Sequence, residues 1–241
     1  MTSHNLNIQT AHPSWHAVLL HALNKINPDY LLHLTKNDEW LPGPEKIFNA
    51  FTLPFDQVKF ILFGESPYPR KQSANGFAFW DAAVNEVWSA DGLSKKVNRA
   101  TSLRNIFKML LVAEKLLSPE NMSQIEITKI DKKNLIQTNH EFFTNLLNHG
   151  FLLLNASLVL QKTAVKKDAA AWYPFIKEIL HVLIQKNPDL QLILFGQIAK
   201  QITPLIENHP KIFISEHPYN LSFITNPQVI EFFKPLHLLT I

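Results

Sequence analysis

The chain has 241 residues, 46% hydrophobic and 18% charged, with a formal net charge of +3. That length suits one sizeable core in a single domain, and the mild positive charge permits an anionic partner without requiring one. The absence of cysteine excludes a disulfide framework, a thiolate metal site and a cysteine nucleophile.

Fifteen prolines stand against six glycines, so the connections should be rigid and each glycine should have a backbone reason. The first residues lack the basic-then-apolar layout of a secretory signal, and no apolar run approaches the roughly 20 residues of a membrane span. A chain free of membrane spans and located in the cytoplasm is expected.

The stretches HPSWHAVLLHALNKI and PEKIFNAF predict N-terminal helices. VKFILF (58–63) is the first of four short apolar runs that read as buried strands, the others being FLLLN (151–155), LQLILF (190–195) and KIFIS (211–215). None alternates cleanly with polar residues, as expected of parallel strands covered on both faces. Between the first two runs, SLRNIFKMLLVAEKLL (102–117) puts Leu103, Ile106, Phe107, Leu110 and Leu111 on one helical face. The polar SPENMSQIEITKIDKKN (118–134) reads as a long surface connection, and EFFTNLLNHG (141–150) as a helix ended by Gly150. Three more helices are expected over 172–188, 196–207 and 226–236, the last opening on an Asn cap and a first-turn proline. Alternating strand and helix predicts an α/β fold: a three-layer α/β/α sandwich around a central four-stranded parallel sheet, as one domain over 1–241.

In such sheets ligands bind outside the carboxyl ends of the strands. The rule selects GESPYPRKQSANGFAF after the first strand, NASLVLQKTAVKK from the end of the second, GQIAK after the third and EHPYNLSF after the fourth.

These four segments, taken together, resemble the uracil-DNA glycosylase family, and in particular its first branch. That branch carries G-Q-D-P-Y-H, a G-L-A-F phenylalanine, L-L-L-N and H-P-S-P-L-S. The corresponding residues are Gly64-Glu65-Ser66-Pro67-Tyr68-Pro69, Gly76-Phe77-Ala78-Phe79, Leu152-Leu153-Leu154-Asn155 and His217-Pro218-Tyr219-Asn220-Leu221-Ser222. The likeness runs from about Trp15 to Phe233 and includes IFNAF (47–51) and SLRNIF (102–107).

The resemblance implies an enzyme that flips a nucleotide out of DNA into a pocket. Phe79 would stack on the uracil ring, and Asn155 would read its Watson–Crick edge, donating to O4 and accepting from N3–H. Tyr68 would close the pocket against a C5 methyl. His217, neutral and donating, would stabilise charge on O2 as the glycosidic bond breaks. Leu221 would be the wedge that enters the duplex, and Ser102 and Ser222 would hold phosphates. Lys162, Lys166, Lys167, Arg70 and Lys71 fall where a phosphate backbone would run. DNA is the implied partner, a monomer is expected, and no metal or cofactor is implied.

The chain departs from the family at Ser66, where the family has an aspartate that positions water and supplies negative charge. Glu65 is the nearest substitute carboxylate, its other reading being a solvated or capping residue; Asp81 ranks below it. Pro69 replaces the histidine of the first motif. Tyr219 and Asn220 replace Ser-Pro in the last motif, and Tyr219 either stacks on a base or packs down on the protein. A slow or altered glycosylase is therefore expected. The alternatives are a DNA-binding homologue that does not cut, a glycosylase for another damaged base and, last, a nucleotide hydrolase.

Overall fold

The computed structural model describes residues 6–37, 39–162, 165–206, 209 and 211–240. In chain order these form α1 (His16–Leu23), α2 (Pro28–Lys36), β1 (Phe60–Gly64), β2 (Trp88–Ser89), β3 (Gly92–Leu93), α3 (Lys95–Arg99), α4 (Thr101–Ala113) and α5 (Gln124–Thr128). There follow α6 (Asn139–Asn148), β4 (Phe151–Asn155), α7 (Val165–Lys186), β5 (Gln191–Phe195), α8 (Ile198–Ile202), β6 (Ile212–Ser215) and α9 (Pro227–Phe233), with short 3-10 turns between.

A four-stranded parallel sheet lies at the centre of this α/β/α fold, in the order β4-β1-β5-β6. β1 pairs in parallel with β4 on one side and β5 on the other. The chain therefore leaves β1 for one neighbour and later returns to the opposite side, which makes the carboxyl end of β1 the switch point where ligands bind in open sheets. All four strands fall within two residues of the runs read from the sequence.

Two compact units are present: Met1–Ala82 with Gly150–Phe213, and Ala83–His149 with Ile214–Ile241. In the first, Ile61, Phe63, Leu152, Leu154, Leu192 and Leu194 share one sheet face and pack in a core with Trp15, Leu31, Phe51, Trp172 and Phe175. The indole N–H of Trp15 would be stranded there, and it donates to Leu53 O at 2.7 Å. Leu62, Leu153 and Ile193 on the other face are also buried, which is why these strands show no polar alternation.

In the second unit, Leu103, Phe107, Leu110 and Leu111 of α4 are buried, whereas Ile106 is only half-buried. α6 opens on a capping box in which Thr138 and Glu141 satisfy each other's backbone N–H groups. Gly150, just beyond α6, has a φ of +89°.

Four local expectations change. The 118–134 connection contains α5, started by the Ser123 cap and held by buried Ile127. PEKIFNAF forms turns and a 3-10 segment over Asn49–Thr52 rather than an α-helix, and Gly76 packs against the carbonyl of Lys46 there. α7 begins seven residues before the expected start at Trp172. Of the expected 196–207 helix, α8 is the α-helical part, and Glu207 lies outside the described residues, as do the first five residues read for a signal. Among the described residues no helix is long and apolar enough to cross a membrane.

Candidate functional site

The first unit brings Glu65, Ser66, Tyr68, Phe79 and Asn155 to the carboxyl ends of β1 and β4. Pairing continues past the strand ends, with Ala156 N–H donating to Gly64 O at 2.8 Å and Ser157 N–H to Glu65 O at 3.0 Å. Asn155 sits opposite Gly64 in register. A methyl on Gly64 would lie 2.4 Å from Asn155 Oδ1, so only glycine leaves room for that amide across the end of β1. Asn155 is 4% exposed, and its side chain makes no hydrogen bond among the described residues. The amide's own atoms are not sealed from solvent, so they remain within reach of a ligand at the strand end.

Phe79 is held from two sides. Ala78 N–H donates to Leu153 O at 3.0 Å, tying this segment to β4 beside Asn155. The Tyr68 hydroxyl donates to Phe79 O at 3.1 Å. Phe79 itself adopts φ +63°, a conformation that costs of order 1–3 kcal/mol for a bulky residue and clusters at binding sites. Its ring meets Phe195 edge-on, 6.1 Å between centroids.

The loop between these residues is closed by Arg70, whose guanidinium meets the buried carboxylate of Asp81 at 3.0 Å, and by Ala82 N–H donating to Ser73 O. Asp81, the lower-ranked substitute carboxylate, is thus committed to Arg70. Burial, and after it the Asp81 carboxylate, push the Tyr68 phenol up to about 12 from 10.0, against a smaller opposing effect of Arg70. Tyr68 is therefore a neutral hydroxyl at any ordinary pH.

Ser66 is half-buried, and Glu65 is exposed with no hydrogen bond or ion pair to its carboxylate among the described residues. Lys162 lies with Lys71, Pro69, Trp40, Leu41 and Leu160 around a cavity of about 690 Å³. Lys166 is exposed on the first turn of α7. The segment before Lys162 is anchored by buried Asp168, which accepts from Gln161 N, Gln161 Nε2 and the Tyr30 hydroxyl at 2.7–2.8 Å.

The second unit carries Ser102, His217, Tyr219, Leu221 and Ser222. Ser102 stands on the first turn of α4, which has no side-chain cap and no acidic residue. Behind β6 the chain turns sharply, Asn220 N–H donating to His217 O at 2.9 Å. Tyr219 N–H donates to His217 Nδ1 at 3.1 Å, so in the neutral ring the proton resides on Nε2. Tyr219 and Leu221 are 67% and 70% exposed, and Ser222 is exposed beside them. Of the two readings of Tyr219, packing down on the protein is excluded.

Three supporting residues were not singled out from the sequence. Asn49 of IFNAF donates to Asn75 O at 2.9 Å, holding the turn before Phe79. Glu216 accepts from Asn226 Nδ2 at 2.8 Å, joining the residue before His217 to the cap of α9. Buried Asn105 holds the His217 turn through its carbonyls. Asn105 had a signal: a poor helix former in the middle of a strong amphipathic helix. Among the described residues no group of three or more His, Asp or Glu side chains is arranged to hold a metal ion.

Residues 52–236 match the family model of the uracil DNA glycosylase superfamily. A uracil-DNA glycosylase of Borreliella burgdorferi is 27% identical over 217 residues, covering 85% of this chain and 82% of that protein. One from Streptococcus agalactiae is 28% identical over 219 residues, covering 88% and 85%. The crystal structure of the wild-type UNG from Nitratifractor salsuginis superposes with a TM-score of 0.92 at 37% identity, covering 97% of this chain and 95% of that one. With Asn155 set across Gly64 at the strand end, the strained phenylalanine on the next segment and the histidine turn behind β6, these likenesses place the chain in one family: it belongs to the uracil DNA glycosylase superfamily.

Proposed function

We propose that this chain is a monofunctional DNA glycosylase that flips uracil out of DNA and hydrolyses its N-glycosidic bond, acting as a monomer and a single functional domain in the cytoplasm. The observation that carries the reading is the amide of Asn155, buried at the strand end, without a protein partner among the described residues and given room by Gly64. An amide donates through Nδ2 and accepts through Oδ1. That pattern is matched by O4 and N3–H of uracil and reversed by cytosine.

Phe79 supplies the stacking face and Tyr68 the wall at C5. Leu221 fills the vacated stack, Tyr219 stacks on a neighbouring base, and Ser102, Ser222, Lys162 and Lys166 bind phosphates. His217 donates from Nε2 to O2 as the C1′–N1 bond breaks and its electron pair goes to N1. The oxygen of a water held by Ser66 bonds to C1′, and its proton passes to the carboxylate of Glu65. The step uses no metal or cofactor, because the leaving uracil is itself a stabilised anion.

A second reading, a DNA binder that does not cut, is favoured by one observation: Ser66 offers a hydroxyl where the family has a charge. Losing a general base costs about 10²–10⁴-fold. The test is release of free uracil from single- and double-stranded oligonucleotides by the wild type, Asn155→Ala, Glu65→Gln and Ser66→Asp, with binding measured alongside. Release by the wild type that Asn155→Ala abolishes and Glu65→Gln lowers at least tenfold supports the glycosylase with Glu65 as base. A silent wild type that binds DNA, and gains release on Ser66→Asp, makes the chain a reader.

A further inference from the structure

We propose that Asn105 is the positioning residue of the wedge-and-histidine turn, setting both the direction of Leu221 and the ring state of His217. It rests on the glycosylase reading for its catalytic consequence, though not for its structural one.

Asn105 lies in the middle of α4 and is fully buried. Its Nδ2 donates to Pro218 O at 2.7 Å and lies 3.4 Å from both Tyr219 O and Asn220 O. Its Oδ1 accepts from Arg104 Nε at 3.2 Å, which fixes the amide's orientation, and Arg104 is itself held by Asn98 O. Three consecutive carbonyls thus converge on one side-chain nitrogen.

Carbonyl oxygens pointed at a common centre repel, and three of them gathered on a buried side chain call for a donor at that centre. Turning the carbonyls inward has two consequences for the same residues. The side chains of Tyr219 and Leu221 project outward, as their exposure shows. The Tyr219 N–H is left on the side of His217, where it donates to Nδ1 and puts the ring proton on Nε2. Ser102 is three residues before Asn105 on α4, about one helical turn away. One helix therefore carries the proposed phosphate hydroxyl and the donor that shapes the turn.

The experiment compares wild type with Asn105→Asp, which keeps the shape and replaces the donor by a carboxylate facing three carbonyl oxygens. Thermal melting reports folding, ¹⁵N NMR of the His217 ring reports its tautomer, and single-turnover uracil release at saturating oligonucleotide is read against DNA binding. The expected result is a folded protein whose His217 loses the single Nε2–H state. Release should fall about 10- to 100-fold, with binding to single-stranded DNA changed less than threefold.

The tautomer readout stands even if the wild type proves to be a binder without release, so failure of the glycosylase reading does not hide the outcome. A folded Asn105→Asp with an unchanged His217 tautomer overturns the proposal, as does release within threefold of an active wild type. Should Asn105→Asp not fold, Asn105→Ser, which lacks the reach to all three carbonyls, is judged by the same two criteria.

Discussion

Replacing Gly64 by alanine tests the base pocket without removing any group proposed to touch DNA. The added methyl would lie 2.4 Å from Asn155 Oδ1, where ordinary contact begins at 3.4 Å, so the oxygen must retreat by about 1 Å. It would also meet Ala78 Cβ at 3.0 Å, which asks for a few tenths of an ångström more. The amide can turn away because it is the end of a side chain, so the fold should survive with a loss of about 1 kcal/mol, at the low end of overpacking. For a chain of this size that is roughly 2–4 °C in the melting midpoint. The chemistry should suffer far more, because a misplacement of about 1 Å at a recognition contact costs on the order of 100-fold. Single-turnover uracil release by Gly64→Ala is therefore expected to fall about 100-fold while affinity for an abasic oligonucleotide stays within threefold. Release within threefold of wild type by a folded Gly64→Ala would refute the assignment of Asn155 as the base reader.

Leu221→Ala and Tyr219→Ala should each lower release from duplex DNA about tenfold more than from a single strand, since a wedge matters where a stack must be broken; equal effects on both would remove them from that role. Lys162→Gln combined with Lys166→Gln should flatten the slope of log affinity against log salt by about 1–2, measured between 50 and 200 mM salt, with little change between sequences. Tyr68 gives a pH test. Its folded value of about 12 lies above the ordinary 10.0, so the neutral phenol adds stability that is complete below pH 10 and lost as pH rises through 12. In a wild-type minus Tyr68→Phe absorbance titration the phenolate signal should centre near pH 12, and a centre near 10 would contradict the buried, carboxylate-facing position.

The strands were legible because burial on both faces leaves uninterrupted apolar runs, and the polar residue closing FLLLN marked Asn155 without any coordinates. The motifs pointed to the turn behind β6, yet not to what shapes it. Asn105 stands out only as a poor helix former inside an amphipathic helix, and its partners are carbonyls 113–115 residues away, which the sequence does not point to. α5 escaped for the opposite reason: five residues with one buried side chain carry too little periodicity to rise above a polar connection. PEKIFNAF had the apolar content of a helix, but its packing under Gly76 and the Asn49 bond to Asn75 O are tertiary contacts that local propensity does not register. The state of His217 depends on one backbone N–H two residues on, a matter of dihedral angles that composition does not encode.

The second unit is assembled from segments that a ribosome delivers far apart in time. Its earlier part, 83–149, is made before β4, while 214–241 begins at the end of β6 and follows β1, β4 and β5. The two are sewn together by Ile136 N–H to Leu239 O at 2.8 Å, Asn145 Nδ2 to Leu238 O at 2.9 Å and Leu239 N–H to a Glu114 carboxylate oxygen at 3.2 Å. A nascent chain can thus have made β1, β4 and β5 while α4 still lacks the turn that Asn105 grips. The proposed wedge and histidine thus arrive together, on a segment synthesised after every residue proposed to form the base pocket.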